Sequence, residues 1–99
     1  MITAKLHFTI ETLVDQVLKT INFVKQINVQ QLPRQGERIE IRGQRATLLP
    51  FVNGIIWHLE SDEATISLQM LRPLISVEVD ALYGTGWKLL TNESPARRR

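Results

Sequence analysis

The chain contains no cysteine, only two histidines, and few aromatic residues (6%). Without cysteine it can form neither a disulfide framework nor a thiolate nucleophile. The two histidines, His7 and His58, do not complete any familiar set of zinc ligands. No glycine-rich cofactor fingerprint or nucleophile motif is present. We therefore expect no metal, no cofactor and no enzymatic activity.

Long apolar runs are also absent. The longest uncharged segment, Ala46–Leu59, is shorter than the roughly 20 residues of a membrane-spanning helix, and Pro50, Asn53 and Gly54 interrupt it. The N-terminal "MITAKLHFTIE" has a lysine within its apolar stretch, which a signal peptide would lack. These features predict a soluble cytoplasmic protein with no membrane association.

An excess of one charge is missing once the C-terminus is set aside. The net charge of +2 depends on Arg97–Arg99, because twelve basic residues minus these three leave nine against ten acidic residues. The apolar fraction of 43% is that of a folded domain. We predict one α+β domain over residues 1–93 and a disordered basic tail over 94–99.

Periodicity predicts the local structure of the N-terminal half. Lys5–Ile10 alternates polar and apolar residues as a half-buried strand does. Thr12–Asn22 places apolar residues at i, i+1, i+4, i+5 and i+8, which predicts a helix, with a long bent strand as the alternative. Strands are predicted at Phe23–Leu32 and in "ERIEIR" (37–42), separated by a turn at "PRQGE".

The C-terminal half predicts further short strands. Asn53-Gly54 favours a hairpin turn between "TLLPFV" and "IIWHLE", with a single bulged strand as the alternative. A polar turn at "SDE" precedes the strand "ATISLQM", and "WKLL" ends the domain. "PLISVEVDALYG" alternates as a strand does, although a short helix at 76–83 also fits. Together these elements predict an α+β fold: a bent or barrel-like antiparallel sheet of about six or seven short strands, with one N-terminal helix packed on it.

Four arginines near the middle of the chain suggest one possible binding surface. Arg34, Arg38, Arg42 and Arg45 lie in or beside the strand "ERIEIR", where an arginine-rich ribbon would contact phosphates. Together with the arginine tail, this ribbon makes nucleic-acid binding an alternative function. The simpler interpretation is a solvated strand face, because Glu37 and Glu40 are interleaved with the arginines.

Two further sets of residues are candidates for a site. Trp57, His58, Glu60 and Trp87 would line a small-ligand or catalytic pocket if His58 were paired with a carboxylate. Ile55, Ile56 and Trp57 are adjacent and apolar, so a strand here has apolar side chains on both of its faces. A single short helix cannot cover both faces, which predicts a homodimer with these three residues near the shared surface. The favoured function is a self-associating, non-catalytic binding or assembly module.

Overall fold

The structure is a computed structural model that describes residues 1–90. Those residues form seven strands and one short helix, so the fold is mostly β and the predicted α+β class is wrong. In chain order the elements are β1 (Ile2–Val14), β2 (Val17–Val29), β3 (Ile41–Arg42), β4 (Thr47–Leu48), β5 (Phe51–His58), β6 (Glu63–Gln69), α1 (Ser76–Tyr83) and β7 (Lys88–Leu89). The predicted basic tail at 94–99 lies outside the described residues.

Five of the strands form one mixed sheet in the order β5-β6-β1-β2-β7. β1 and β6 run parallel, whereas the other neighbours are antiparallel. The short strands β3 and β4 pair only with each other. The predicted wholly antiparallel, barrel-like sheet is therefore wrong: the described residues form an open sheet with two edges.

The predicted N-terminal helix is also wrong, because Thr12–Asn22 belongs to a hairpin of two 13-residue strands. Its two-residue turn, Asp15-Gln16, has φ values of 53° and 66°, the positive values that tight hairpin turns require. In this register Leu13 opposes Leu18, and Val14 opposes Val17. A hairpin with a two-residue turn thus reproduces the i, i+1, i+4, i+5 spacing that a helix face shows. The alternative of a long strand was closer to the structure.

The one helix of residues 1–90 is α1, near the C-terminal end of the described chain, where we had favoured a strand. The prediction of a strand there is wrong, and the alternative of a helix at 76–83 is confirmed. Glu78, in the first turn, accepts a hydrogen bond from the backbone N–H of Ile75 at 3.0 Å, which satisfies a donor at the helix start. Val79 and Leu82, three residues apart, face the core. No helix within residues 1–90 is long and apolar enough to cross a bilayer.

The Asn53-Gly54 turn is likewise absent. Phe51–His58 is a single strand, and its pairing with β6 skips one residue between Val52 and Gly54. This is the bulged strand that was the alternative prediction. β5 pairs instead with β6, the next strand in the chain. The turn between them ends at Asp62, whose φ is 59°.

The core lies on one face of the sheet. Alternate residues of β1 from Ala4 to Ile10 are buried there, together with Phe23 of β2. The elements that bury this face include α1, the β3–β4 pair and Trp87, whose ring meets the ring of Phe8 edge-on at 5.7 Å. The opposite, outer face carries mostly polar side chains that are partly or fully exposed. Those of β1 are Thr3, Lys5, His7, Thr9 and Glu11. The sheet is therefore apolar on one face and mostly polar on the other.

Candidate functional site

The open edge of β5 is the feature of the structure with the clearest capacity to bind another chain. β5 is the outermost strand and pairs with β6 on one side only. On its other side the segment 36–39 covers just the beginning, where the N–H of Val52 donates to the carbonyl of Glu37 at 2.8 Å and Gly36 donates to Val52 at 2.8 Å. Within residues 1–90, no strand pairs with residues 53–58 on this side.

The free backbone groups along this edge can be assigned from the hydrogen bond at its C-terminal end. The carbonyl of His58 accepts the N–H of Asp62 at 3.0 Å across the turn into β6, so the peptide groups of His58 face β6. Successive residues of a strand turn their peptide groups to alternate sides. The groups of Ile56 therefore also face β6, while those of Ile55 and Trp57 face the open side. Within the part of the chain that the structure describes, these two residues present unpaired donors and acceptors.

Nothing in this segment protects the edge from pairing. Natural edge strands are usually blocked by lysine, proline, inward-pointing charges or strong bulges. Residues 53–58 contain no charged residue and no proline, and the bulge lies at their beginning. Ile56 is 59% exposed on the outer face, and Trp57 is 39% exposed on the inner face. The edge is thus both unpaired and flanked by apolar side chains.

The three residues expected near a dimer surface all lie on this strand. Ile55 is half-buried and packs against the core, opposite Ile66 of β6. Trp57 shares the inner face and opposes Ala64, whereas Ile56 points outward. The adjacent apolar residues that broke the alternation pattern are therefore two inward side chains and one outward side chain of an edge strand.

The four arginines do not form a continuous ribbon, because only Ile41–Arg42 of "ERIEIR" is a strand. Arg38 donates to the carbonyl of Leu49 at 2.9 Å, and Arg42 donates to the carboxylate of Glu40 at 3.1 Å. Arg34 lies in the exposed loop before β3. Arg45 lies in the turn between β3 and β4 and, with Arg42, lines a cleft of about 500 Å³ beside α1. Asp80 also lines that cleft and supplies an opposing charge.

The residues of the suggested ligand pocket are not brought together either. Trp87 is 6% exposed and belongs to the core. Trp57 and His58 are adjacent on β5, so their side chains point to opposite faces. The Nε2 atom of His58 lies 2.9 Å from the hydroxyl of Thr65 rather than near a carboxylate. Glu60 lies in the exposed turn beyond β5, so the four residues do not line a common cavity.

A second apolar surface, which the sequence had assigned to a helix face, lies at the tip of the β1–β2 hairpin. Four of its side chains remain 41–65% exposed: Leu13, Val14, Val17 and Leu18. The β1–β6 pairing ends at Thr9, so the tip extends beyond the rest of the sheet as two strands. Both surfaces carry apolar residues, but the tip also has the charged neighbours Asp15 and Lys19, whereas residues 53–58 of β5 include no charged residue.

Within residues 1–90 no group of three or more potential metal ligands is clustered. Comparison of the chain with protein-family models, with curated proteins and with solved structures finds no match. The chemistry of the surfaces themselves is therefore the basis for any functional assignment.

Proposed function

We propose that this protein is a non-catalytic assembly module that pairs with a second copy of itself through the open edge of β5. The observation that carries the proposal is the combination of unpaired peptide groups at Ile55 and Trp57 with the absence of any charge or proline from 53 to 58. An edge with these properties is a template for strand addition. A second copy presents the same edge, so the pairing is self-complementary and closes as a two-fold dimer.

The free peptide groups specify one register for this dimer. In an antiparallel pair, directly opposite residues share a face, so inward residues must oppose inward residues. Both sets of free groups are used when Ile55 opposes Trp57 of the partner subunit and Trp57 opposes the partner's Ile55. Ile56 then lies on the two-fold axis and opposes the partner's Ile56. This central pair makes no hydrogen bonds across the interface, and its side chains approach most closely.

The expected affinity is modest. The pairing adds four main-chain hydrogen bonds, each contributing about 0.5–1.5 kcal/mol net. Burying the exposed part of Ile56 contributes about 1–2 kcal/mol per copy. Association itself costs about 4–15 kcal/mol, and an edge contact is smaller than a standard interface of about 1,200–2,000 Å². Subtracting the smallest association cost from the largest gain leaves about 6 kcal/mol, so we expect a weak, reversible dimer with a Kd of tens of micromolar or higher.

Sedimentation velocity over a concentration series tests the proposal. The wild-type chain should shift from monomer towards dimer between about 10 µM and 1 mM, the range that spans a Kd of tens to hundreds of micromolar. Ile56→Asp should remain monomeric, because it places two carboxylates against each other at the axis. The matched control is Leu18→Asp, which charges an apolar residue of similar exposure (51%) at the hairpin tip.

Leu18→Asp should dimerise like the wild type. A wild-type chain that stays monomeric at about 1 mM would overturn the proposal. So would an equal loss of association in both variants, since that result would indicate non-specific contact between apolar surfaces rather than strand pairing.

A further inference from the structure

Three lysines surround a cleft on the side of the sheet away from β5. Lys5 comes from β1, Lys25 from β2 and Lys88 from β7, so residues distant in sequence are brought together by the sheet order. The cleft has a volume of about 320 Å³. The remaining lining residues are Val24, Gln26 and Gly86.

Strand register explains how two of these lysines come to share a surface. Lys5 opposes Gln26 in the β1–β2 pairing, and Lys88 opposes Val24 in the β2–β7 pairing. Opposite residues of a ladder share a face. Val24 and Gln26 are two apart on β2, so all four side chains project from the outer face.

Lys25 points to the other face and lies one residue beyond the part of β2 that pairs with β7. Its ammonium donates to the carbonyl of Thr85 at 2.7 Å, which leaves two of its N–H groups available. Gly86, with φ of 89°, passes close to this ammonium: a Cβ there would lie 3.6 Å from Nζ. The site therefore contains one fixed ammonium and two that are attached to flexible exposed side chains.

No group within residues 1–90 neutralises the positive charge of this cleft. No carboxylate of this part of the chain lines it. The side-chain ion pairs among residues 1–90 are Arg42–Glu40 and Arg72–Glu78, so none of the three lysines is paired within the described chain. The neighbouring polar lining group, the amide of Gln26, can donate to an anion. Like charges gathered in a concave site raise the local concentration of counter-ions.

We propose that this lysine cleft binds a small phosphate-bearing ligand. Lysine ammonium groups bind phosphate as compact point charges, without the bidentate geometry that arginine offers to phosphate and carboxylate alike. A phosphate carries about 1.5–2 negative charges at pH 7 and several acceptor oxygens, which suits three separate cations. The volume is at the lower limit of small-molecule sites, so the ligand is a phosphate or a small phosphate ester. The site is separate from β5, and its occupancy does not depend on dimer formation.

Isothermal titration of the full chain at low ionic strength tests the assignment, with inorganic phosphate, glycerol phosphate and acetate as probes. Phosphate or its ester should bind saturably at millimolar concentration or below, and added salt should weaken the binding. Tighter binding of glycerol phosphate than of inorganic phosphate identifies the ester as the preferred source of the group. Lys5→Gln and Lys88→Gln should each weaken binding several-fold, and the double variant at least tenfold.

Lys19→Gln is the matched control, because Lys19 is exposed on β2 but does not line the cleft. It should leave binding unchanged. The proposal is overturned if phosphate shows no saturable binding, if acetate binds equally well, or if Lys19→Gln weakens binding as much as the cleft variants. A single-stranded oligonucleotide that binds far more tightly than either phosphate probe would overturn the small-ligand assignment.

Discussion

Glu78→Gln should lower the stability of the fold at neutral pH and have little effect in acid. The Glu78 carboxylate is largely buried and accepts hydrogen bonds from two nitrogens of Arg72 at 2.8 and 2.6 Å, in addition to that from the backbone of Ile75. Glutamine can still accept from Ile75 but loses the charge that strengthens the bonds from Arg72. Hydrogen bonds to charged groups contribute about 1.5–3 kcal/mol. Because the Arg72 side chain is 55% exposed, we expect a loss of only about 1–2 kcal/mol when Glu78 is replaced.

The pH dependence follows from the direction of the pKa shift. Hydrogen bonds from Arg72 hold the pKa of Glu78 below its ordinary value, against the opposing effect of burial, and the N–H of Ile75 and the charge of Arg72 lower it further. A lowered carboxyl pKa contributes stability above the unfolded value of about 4.3, and that stability is lost as the pH falls through the folded value. At low pH Glu78 is protonated and resembles glutamine. The difference between the two proteins should therefore shrink below about pH 4.

Urea denaturation at pH 7 and near pH 3 measures the difference in the free energy of unfolding between the two proteins. In thermal unfolding, each kcal/mol corresponds to about 4–8 °C in Tm for a domain of this size. The control is Glu40→Gln, which removes the exposed Glu40–Arg42 pair and should change stability by less than about 0.5 kcal/mol. A destabilisation by Glu78→Gln that is the same at both pH values would refute the assigned role of the charge.

Four other substitutions test the packing by the same denaturation assay. Gly43→Ala should destabilise by about 1–3 kcal/mol, because its Cβ would overlap Ala81 and lie 2.9 Å from the Cα of that residue. Adding Ala81→Gly should recover part of the loss, and no recovery would contradict this contact. Trp87→Ala should cost about 3–5 kcal/mol through the cavity left beside Phe8, and a cost below 1 kcal/mol would contradict a core role. Leu18→Asp should stay within about 0.5 kcal/mol of the wild type, because the hairpin tip lies outside the core.

Much of the local structure could be predicted from the sequence, and the errors have identifiable causes. The strand "ATISLQM" was predicted from simple alternation and the turn before it from the polar run "SDE", and the observed strand is Glu63–Gln69. The hairpin tip was missed because Asp15-Gln16 lacks the glycine or asparagine that usually marks positive φ. The resulting apolar spacing then resembled a helix. At α1 the sequence favours a strand over the helix because Val77 and Val79 alternate with Glu78, and the start of the helix depends on Arg72 and Glu78 meeting in three dimensions.

The candidate surfaces depend on strand order, which local periodicity does not specify. The broken alternation at Ile55–Trp57 indicated that this segment is unusual. It did not show that β5 is an edge strand, because that depends on β6 pairing in parallel with β1, about 60 residues earlier in the chain. The lysine cleft was missed for the same reason. Lys5 and Lys88 lie at opposite ends of the described chain and meet only through the neighbours of β2.

Disulfide cross-linking of a single cysteine at position 56 tests the proposed β5 pairing most directly, because the natural chain contains no cysteine to interfere. In the proposed register the two Ile56 residues form a non-hydrogen-bonded pair with a Cα separation of about 4.5 Å, within the range of about 4.4–6.8 Å that a disulfide allows. His58→Cys and Leu18→Cys, exposed positions away from the axis, are the controls. Under mild oxidation, Ile56→Cys should yield a covalent dimer on a non-reducing gel while both controls remain monomeric. Failure of Ile56→Cys to cross-link, or equal cross-linking of all three variants, would contradict the two-fold pairing through β5.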